Sequence, residues 1–371
     1  MTNEAVRQTR KAIRQARRAR PDAQLVVTGC AAQIDPESFG NMPEVDRVIG
    51  NAEKLNPAAW ASGEAALVQD IMAVRQTAPH LAASFSAHAR AFVEVQNGCD
   101  HRCTFCVIPY GRGNSRSVPA GAVVERVQAL AAAGHREVVL TGVDLTSYGP
   151  DLPGTPTLGM LVERVLALTG VERLRLSSLD GIEIDDRLFA LLTQEARVMP
   201  HVHLSLQAGD DLVLKRMKRR HARAQSVDLV ARLKAARPGL AIGADLIAGF
   251  PTEDEAMFAN TLALIDDCDI VHAHIFPYSP RDGTPAARMP QVAPGIIKAR
   301  AAALRERAAA RRAAWLDSLI GTHQSILVER PGDRGHAGNF AEVLLPPTEV
   351  GAIANVKIET IRDGKLIGVT A

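Results

Sequence analysis

Short β-rich segments alternate with amphipathic helical segments from residue 91 onward, and this alternation constrains the fold more than any other feature of the chain. The helical segments carry apolar residues at the 3.6-residue spacing of a helix with one buried face. The predicted strands span 91–97, 137–142, 172–177, 201–206, 241–247 and 270–276, and the predicted helices span 119–134, 158–169, 186–196, 211–236 and 253–267. Strands separated by helices pair in parallel through right-handed crossovers, and six strands are too few to close an eight-stranded barrel. The sequence therefore predicts an α/β fold with a partial (β/α)6 barrel.

The segments on either side of this barrel predict two smaller units. The N-terminal part resembles a small doubly wound α/β domain that lacks an obvious first strand, and residues 78–89 have the composition of a linker. After a basic helix predicted at 295–319, short alternating strands are separated by Gly, Pro and Asp turns, which is typical of a small β-barrel. The expected units are therefore an incomplete α/β domain at 1–80, the partial barrel at 90–320 and the β-barrel at 321–371.

Cysteine usage indicates a metal site and a reducing compartment. The five cysteines are Cys30, Cys99, Cys103, Cys106 and Cys268. An odd count with one tight cluster makes a poor disulfide framework. The three clustered cysteines have x3 and x2 spacing, and three soft ligands without a clear fourth suit a 4Fe-4S cluster in which one iron keeps an open coordination site. A structural zinc ion would need a fourth ligand, for which only His101 is close by, and zinc or no metal remains the alternative.

The near-neutral net charge of +2 conceals three basic clusters, at residues 1–20, 215–223 and 298–312. Such clusters in a balanced chain indicate contact with a polyanion, and the alternative is three solvated helix surfaces. The first cluster also has the composition of a transit peptide, but it runs directly into a predicted strand and we interpret it as an ordinary helix. No apolar run approaches the roughly 20 residues that cross a bilayer, so we expect no membrane partner and a cytoplasmic location. Nothing in the sequence predicts an oligomeric state.

The residues around the clustered cysteines resemble a known family. Residues 98–119 read GCDHRCTFCVIPYGRGNSRSVP, with an aromatic residue before the last cysteine. This string is similar to the radical S-adenosylmethionine (SAM) superfamily and, within it, to the methylthiotransferases. The YGRG and SRS elements, together with RRH at 219–221, most resemble the branch that modifies N6-threonylcarbamoyladenosine next to the tRNA anticodon. The branch that modifies isopentenyladenosine is the alternative. The resemblance extends over essentially the whole chain, including a C-terminal RNA-binding barrel of the TRAM type.

The resemblance implies a reaction and a set of residues. The clustered cysteines would hold a 4Fe-4S cluster whose open iron binds SAM, and one electron from this cluster would cleave SAM to a 5′-deoxyadenosyl radical. The implied partners are the tRNA anticodon loop and a reductant such as flavodoxin or ferredoxin. The implied SAM-binding residues are Thr141, Gly142, Gln207, Arg219, Asp245 and Gly249, and the implied RNA-binding residues are Arg112, Arg116, Arg220 and Arg223.

Each of the SAM assignments has a structural alternative. By residue type alone, Gly142 and Gly249 also fit turns, and Arg219 also fits a surface charge. Asp245 also fits a helix cap or a buried hydrogen-bond partner.

Cys30 resembles the third ligand of a second cluster, which family members carry in the N-terminal domain. The other two cysteines of that trio have no counterpart here, because the chain starts just after the position of the second one. We therefore expect an N-terminally truncated chain that does not hold the second 4Fe-4S cluster and methylthiolates tRNA poorly or not at all. Cys268 ends an apolar helix and is expected to be a packing residue. A non-catalytic RNA-binding protein with a structural metal is the alternative from another class.

Overall fold

The computed structural model describes residues 3–75 and 89–370. The predicted linker at 78–89 lies outside the described residues, except for its last position. The N-terminal elements are α1 (Asn3–Ala19), β1 (Val26–Thr28), α2 (Cys30–Ile34), α3 (Pro36–Gly40), β2 (Arg47–Ile49), α4 (Pro57–Ala61) and β3 (Ala66–Leu67). The three strands form a parallel sheet in the order β1-β2-β3. Ile13 of α1 packs with Val27, Phe39 and Val48 in a small separate core.

The central part of the chain follows the predicted alternation closely. Its elements are β4 (Arg90–Asn97), α5 (Ile108–Arg112), β5 (Arg116–Ser117), α6 (Ala120–Ala132), β6 (Glu137–Gly142), α7 (Leu158–Leu168), β7 (Arg173–Leu176), α8 (Asp186–Gln194), β8 (His201–Gln207), α9 (Asp211–Met217), α10 (Arg223–Ala236), β9 (Ala241–Ala248), α11 (Glu255–Asp267), β10 (Ile270–Pro277) and α12 (Pro294–Ser318). Six parallel strands run in the order β4-β6-β7-β8-β9-β10. Isolated β-bridges join β7 and the residues that follow it to β8 and the residues that precede it. The predicted partial (β/α)6 barrel is confirmed.

Apolar and polar side chains alternate along the strands and so lie on opposite faces of this curled sheet. Val202, Leu204 and Leu206 of β8 pack with the helices in the main hydrophobic core. Because successive side chains of a strand point to opposite faces, His201, His203 and the other intervening residues face the concave side, which we call the lumen.

One predicted helix is wrong. The segment 211–236 is two helices, because Lys218 adopts a left-handed conformation with φ of 64° and ends α9. The backbone N–H of Arg219 then bonds back to Leu214 at 2.9 Å, and the chain turns before α10 begins. Helical periodicity alone does not reveal this break, since apolar spacing continues on both sides of it.

A closed five-stranded barrel follows α12. Its strands are β11 (His323–Glu329), β12 (Arg334–Ala337), β13 (Glu342–Leu344), β14 (Ile353–Arg362) and β15 (Lys365–Thr370), paired in the order β11-β12-β13-β15-β14. The predicted small β-barrel is confirmed, although the sequence did not predict β12. No helix among residues 3–75 and 89–370 is long and apolar enough to span a membrane.

The C-terminal barrel closes the lumen at the N-terminal ends of the strands. Phe340, in the loop between β12 and β13, stacks on His201 with ring centroids 5.2 Å apart. The guanidinium groups of Arg90 and Arg175 lie over the same ring, 5.3 and 4.9 Å from its centroid. Arg175 also donates to the carbonyl oxygen of Gly338 at 3.1 Å. The lumen therefore has a closed floor and opens toward the C-terminal ends of the strands.

Glu137, at the start of β6, ties this floor together. Its carboxylate is completely buried and lies 3.0 Å from Nε of Arg175, 3.3 Å from Nε of Arg90 and 3.6 Å from Nη1 of Arg173. Burial acts to raise the pKa of Glu137, but Arg175 and Arg90 outweigh it and the pKa is lowered. Arg90 also pairs with Glu329 of the C-terminal barrel, so Glu137 is linked through this arginine to a strand of the barrel.

Replacing Glu137 should destabilise the protein far more than replacing an exposed carboxylate. Glu137→Ala leaves buried guanidinium charges without their partner, which costs about 3–5 kcal/mol. Glu163→Ala removes an exposed pair with Arg187, worth at most about 1 kcal/mol. Urea denaturation followed by circular dichroism measures both losses, and equal losses would contradict the role given to Glu137.

Candidate functional site

The loop that follows β4 carries the clustered cysteines and is held on both sides. Gly98 begins it with φ of 76°, and a Cβ there would lie 1.9 Å from the carbonyl oxygen of Asn114. The N–H of Cys99 bonds to the carbonyl oxygen of Gly113 at 3.1 Å. Thr104 bonds through its N–H to Met217 at 3.1 Å, so the end of α9 supports the middle of the loop. This loop therefore depends on a close backbone approach that only glycine allows at position 98.

The three cysteine sulfurs differ in their immediate surroundings. Cys106 accepts the N–H of Ile108 at 3.4 Å, and Cys103 lies 3.9 Å from Nη1 of Arg219. Sγ of Cys99 is 3.5 Å from Oδ2 of Asp144. Burial raises the pKa of Cys99 and that of Cys106, and the Asp144 carboxylate adds to the first of these shifts. A bound metal must therefore displace the thiol protons, as metal sites built on thiolates do.

The ligand set favours a cluster over a single ion. All three thiols are half-buried, and a structural zinc ion would need a fourth ligand besides them. Three cysteines at this spacing suit a 4Fe-4S cluster in which one iron keeps an open coordination site.

Two carboxylates beyond the C-terminal ends of the strands lie beside the cysteine loop. His101 Nε2 lies 3.0 Å from Oδ2 of Asp144 and 3.7 Å from Oε1 of Glu183. The Ser147 hydroxyl bonds to both carboxylates, at 3.0 and 3.1 Å. The hydrogen bond to Asp144 raises the pKa of His101. Sequence reasoning missed Glu183, and the only available signal was an acidic residue shortly after a predicted strand.

Arg219 is a predicted SAM ligand that the structure places beside Cys103. Its Nη2 donates to Oδ2 of Asp180 at 3.0 Å and to the carbonyl oxygen of Ser205 at 2.8 Å. Its side chain is only 8% exposed, which argues against a plain surface charge. Asp180, which the sequence did not single out, therefore orients the guanidinium beside Cys103.

Thr141, Gly142 and Gln207 lie at the C-terminal ends of β6 and β8, on the open side of the lumen. A Cβ at Gly142 would lie 2.9 Å from Oε1 of Gln96, so this position also has the tight packing of a turn. Gln207 has φ of 68°, a left-handed conformation that aims the chain into the loop after β8. The structure thus gathers these three residues at one edge of the sheet.

The other two predicted SAM residues lie on β9 and just after it. Oδ1 of Asp245 faces the lumen and lies 3.0 Å from Nε2 of His203 and 3.1 Å from Nδ1 of His274. Gly249 has φ of 72°, and a Cβ there would lie 2.6 Å from Cγ1 of Ile297. Gly249 therefore allows α12 to pack closely, whatever else it contacts.

The four arginines predicted to bind RNA all make contacts within the protein. Arg112 donates from Nε to Sγ of Cys30 at 3.0 Å. Arg116 is buried and donates to two backbone carbonyl groups, including that of Arg112 at 2.8 Å, so an RNA contact there would require this loop to open. Arg220 pairs with Glu183 at 2.7 Å and keeps 44% of its side chain exposed. Arg223 pairs with Asp267. Their RNA contacts stay predictions.

Cys30 lies directly against the helix that follows the cysteine loop. A Cβ at Gly111 of α5 would lie 2.9 Å from Cβ of Cys30, so the two backbones are in close contact. Besides Arg112, its sulfur lies 3.6 Å from Nδ2 of Asn51, whose Oδ1 accepts from Lys54 at 2.8 Å. Donors and cationic groups therefore surround this thiol, whereas Cys268 is completely buried in the main core.

The chain is similar to known proteins along most of its length. Residues 93–265 match the family model described as the radical SAM superfamily. Over 98% of its length the chain is 48% identical to the threonylcarbamoyladenosine tRNA methylthiotransferase MtaB of Rickettsia prowazekii (strain Madrid E), of which it covers 87%. Over 93% of its length it is 36% identical to the tRNA-2-methylthio-N(6)-dimethylallyladenosine synthase of Maricaulis maris (strain MCS10), of which it covers 80%.

A solved structure shares the fold. The radical S-adenosylmethionine methyltransferase TsrM from Kitasatospora setae superimposes with a TM-score of 0.56 and 18% sequence identity, over 76% of this chain and 60% of that one. The superposition supports the architecture of the curled sheet, whereas 18% sequence identity carries no information about the substrate.

Two single substitutions of glycine test whether the cysteine loop binds metal with the close backbone approach at Gly98. Gly98→Ala and Gly154→Ala both place a Cβ at positive φ, which strains the backbone by about 1–2 kcal/mol. Only Gly98→Ala also creates a clash, because a Cβ at Gly154 meets open space. We expect Gly98→Ala to bind less than half the iron of the unmodified chain after anaerobic reconstitution, and Gly154→Ala to bind the same amount. Equal iron contents would contradict the described loop.

Proposed function

This chain belongs to the radical SAM methylthiotransferases that act in tRNA modification, and on that premise we propose that its target is N6-threonylcarbamoyladenosine next to the anticodon. The observation that carries the chemistry is a loop with three thiols, at the mouth of a lumen whose other end is closed by Phe340. The relative named for this adenosine is 48% identical, which favours it over the dimethylallyladenosine named for the relative at 36%.

Cys99, Cys103 and Cys106 would hold a 4Fe-4S cluster with one iron left for SAM. When bound, the cluster supplies the electron that cleaves SAM and starts radical chemistry on the adenosine. The N–H of Ile108 and the guanidinium of Arg219 would donate to cluster thiolates and offset their negative charge. A reductant such as flavodoxin or ferredoxin would deliver the electron.

The remaining residues of the open side would bind and orient SAM. Arg219, held by Asp180, is proposed to pair with the SAM carboxylate. The other SAM contacts that we propose are made by Thr141, Gly142, Gln207, Gly249 and Oδ2 of Asp245, the carboxylate oxygen that does not bond to His203 and His274. The closed floor keeps bulk water from entering beneath the substrate, which a reactive radical requires.

Arg220 and Arg223 would contact RNA phosphates near the lumen mouth after exchanging their present carboxylate partners. Arg112 and Arg116 would contribute from the loop beside the cysteines. The C-terminal β-barrel is proposed to be an RNA-binding unit of the TRAM type, and the enzyme is proposed to act in the cytoplasm.

We propose that the 371 residues bind one cluster and not two. Outside the loop they offer Cys30 and the buried Cys268, and one accessible thiol does not make a second three-cysteine site. Cys30 matches one ligand of the family's second cluster, so this chain is proposed to cleave SAM and to methylthiolate tRNA only weakly.

Anaerobic reconstitution should load about four irons per chain and allow dithionite-driven formation of 5′-deoxyadenosine from SAM. Cys103→Ala should lose both, because it removes one of three ligands. Cys268→Ala is the matched cysteine control, since this thiol lies in the core away from the loop. About eight irons per chain would overturn the one-cluster proposal. Binding of tRNA without 5′-deoxyadenosine formation would assign the chain to the non-catalytic alternative.

The target adenosine is tested in cells. In a strain from which the gene has been deleted, mass spectrometry of tRNA nucleosides should show loss of the 2-methylthio form of N6-threonylcarbamoyladenosine. Its unthiolated precursor should accumulate, while 2-methylthio-isopentenyladenosine stays unchanged. Loss of the isopentenylated product instead would move the assignment to the other branch.

A further inference from the structure

The walls of the lumen formed by β8, β9 and β10 carry a cluster of imidazoles around one carboxylate. Parallel pairing places His274 directly opposite Asp245, and His203 opposite Gly243, two residues before it. Deeper in the lumen, His201 and His272 pack edge to face with ring centroids 5.2 Å apart. Four histidines on one concave surface are not required for packing, because the apolar core lies on the other face of the same strands.

The deeper pair belongs to the floor. His201 stacks on Phe340, and His272 lies 2.9 Å from Nη1 of Arg312 and 3.3 Å from the carbonyl oxygen of Asn339. Burial is the main cause that lowers the pKa of both histidines, to about 3 for His272, so both are neutral at physiological pH. The two imidazoles of the floor are therefore uncharged beneath the upper pair.

The upper group is built differently. Oδ1 of Asp245 lies 3.0 Å from Nε2 of His203 and 3.1 Å from Nδ1 of His274, and we call these three residues the lumen triad. The His203 side chain is 9% exposed and that of His274 is 63% exposed. Because Nδ1 of His274 is engaged with Asp245, its Nε2 is the nitrogen available to a ligand that enters from the mouth.

The electrostatics of the triad favour protonation of His274. The hydrogen bond to Asp245 raises the pKa of His274 despite the opposing effect of burial. Burial also acts to raise the pKa of Asp245, but the bonds from His203 and His274 outweigh it and lower the pKa to about 2. A carboxylate held ionised thus favours the imidazolium form of His274, in which Nδ1 donates to Asp245 and Nε2 can donate a charge-assisted hydrogen bond into the lumen.

We propose that the lumen triad is the specificity-determining site for the group on N6 of the target adenosine, with Nε2 of His274 donating to the carboxylate of the threonylcarbamoyl substituent. Asp245 and His203 act as positioning residues that fix the ring of His274. The inference rests on the proposed function and deepens it. A threonylcarbamoyl group offers a carboxylate and a hydroxyl to this wall, whereas an isopentenyl group would desolvate the triad and leave its polar atoms without partners.

The test is equilibrium binding of the reconstituted full chain to three anticodon stem-loops that differ only at the target position. That position carries N6-threonylcarbamoyladenosine, unmodified adenosine or isopentenyladenosine. The chain should bind the first at least about tenfold more tightly than the second, as expected for one hydrogen bond to a charged group. His274→Phe should reduce this ratio to about twofold or less and improve relative binding of the isopentenylated loop.

Further variants separate recognition from folding. A ratio of dissociation constants cancels any general loss of folded protein. His274→Gln keeps a donor in the lumen and should retain part of the preference. His135→Phe, which makes the same substitution in the turn between α6 and β6, should retain all of it.

The outcomes distinguish this inference from the function on which it rests. Equal binding of the three loops by the unmodified chain would overturn the proposed target. A preference that survives in His274→Phe would overturn the role of the triad alone. The three ligand atoms of the triad lie within 4.8 Å of one another, so they could also hold a metal ion. Stoichiometric zinc binding lost in His274→Phe would overturn the proposal, because the donor nitrogen would then be a metal ligand.

Discussion

The buried carboxylate of Glu137 is the constraint on which the lumen depends. Three arginines from β4 and β7 converge on it at the N-terminal ends of the strands, where a parallel sheet would otherwise expose its floor. Those arginines also hold the C-terminal barrel, through Glu329, Ser325 and Gly338, so the barrel becomes the base of the lumen. Like charges gathered this closely repel one another, and the carboxylates of Glu137 and Glu329 offset part of that repulsion. Because this end is closed, the lumen triad is reached from the mouth.

The opposite end depends on a break in a helix. Lys218 ends α9 in a left-handed conformation, and the next residue, Arg219, turns back to Asp180 and Cys103. A continuous helix over 211–236 would carry Arg219 onward along its axis. The carbonyl oxygen of Met217, the last residue of α9, receives the N–H of Thr104, so the same helix end supports the cysteine loop. One local conformation thus serves both the loop and its neighbouring cation.

Much of the fold was predictable, because burial imposes a period on the sequence. The strand at 137–142 is found with exactly those bounds, since its apolar run is short and flanked by polar ends. β12 was missed because Gly335 and His336 show no apolar alternation, and the strand is held instead by its pairing with β11 and β13. In the site, the cysteine loop could be predicted directly from the spacing of the three cysteines in the sequence. Asp180 and Glu183 were not, because their partners are 36 to 40 residues away along the chain.

The sequence by itself determined the thiol loop and the alternation of strands and helices, because ligand spacing and hydrophobic periodicity are local properties of a chain. Tertiary structure decided what surrounds them. Asp245 could be interpreted from the sequence as a cap, a buried partner or a cofactor contact, and only the pairing of β8, β9 and β10 sets it between His203 and His274. The floor needs Phe340 from another unit of the chain. Side chains far apart in sequence acquire a shared function only when strand register and domain packing bring them within hydrogen-bonding distance, and no local pattern encodes that distance.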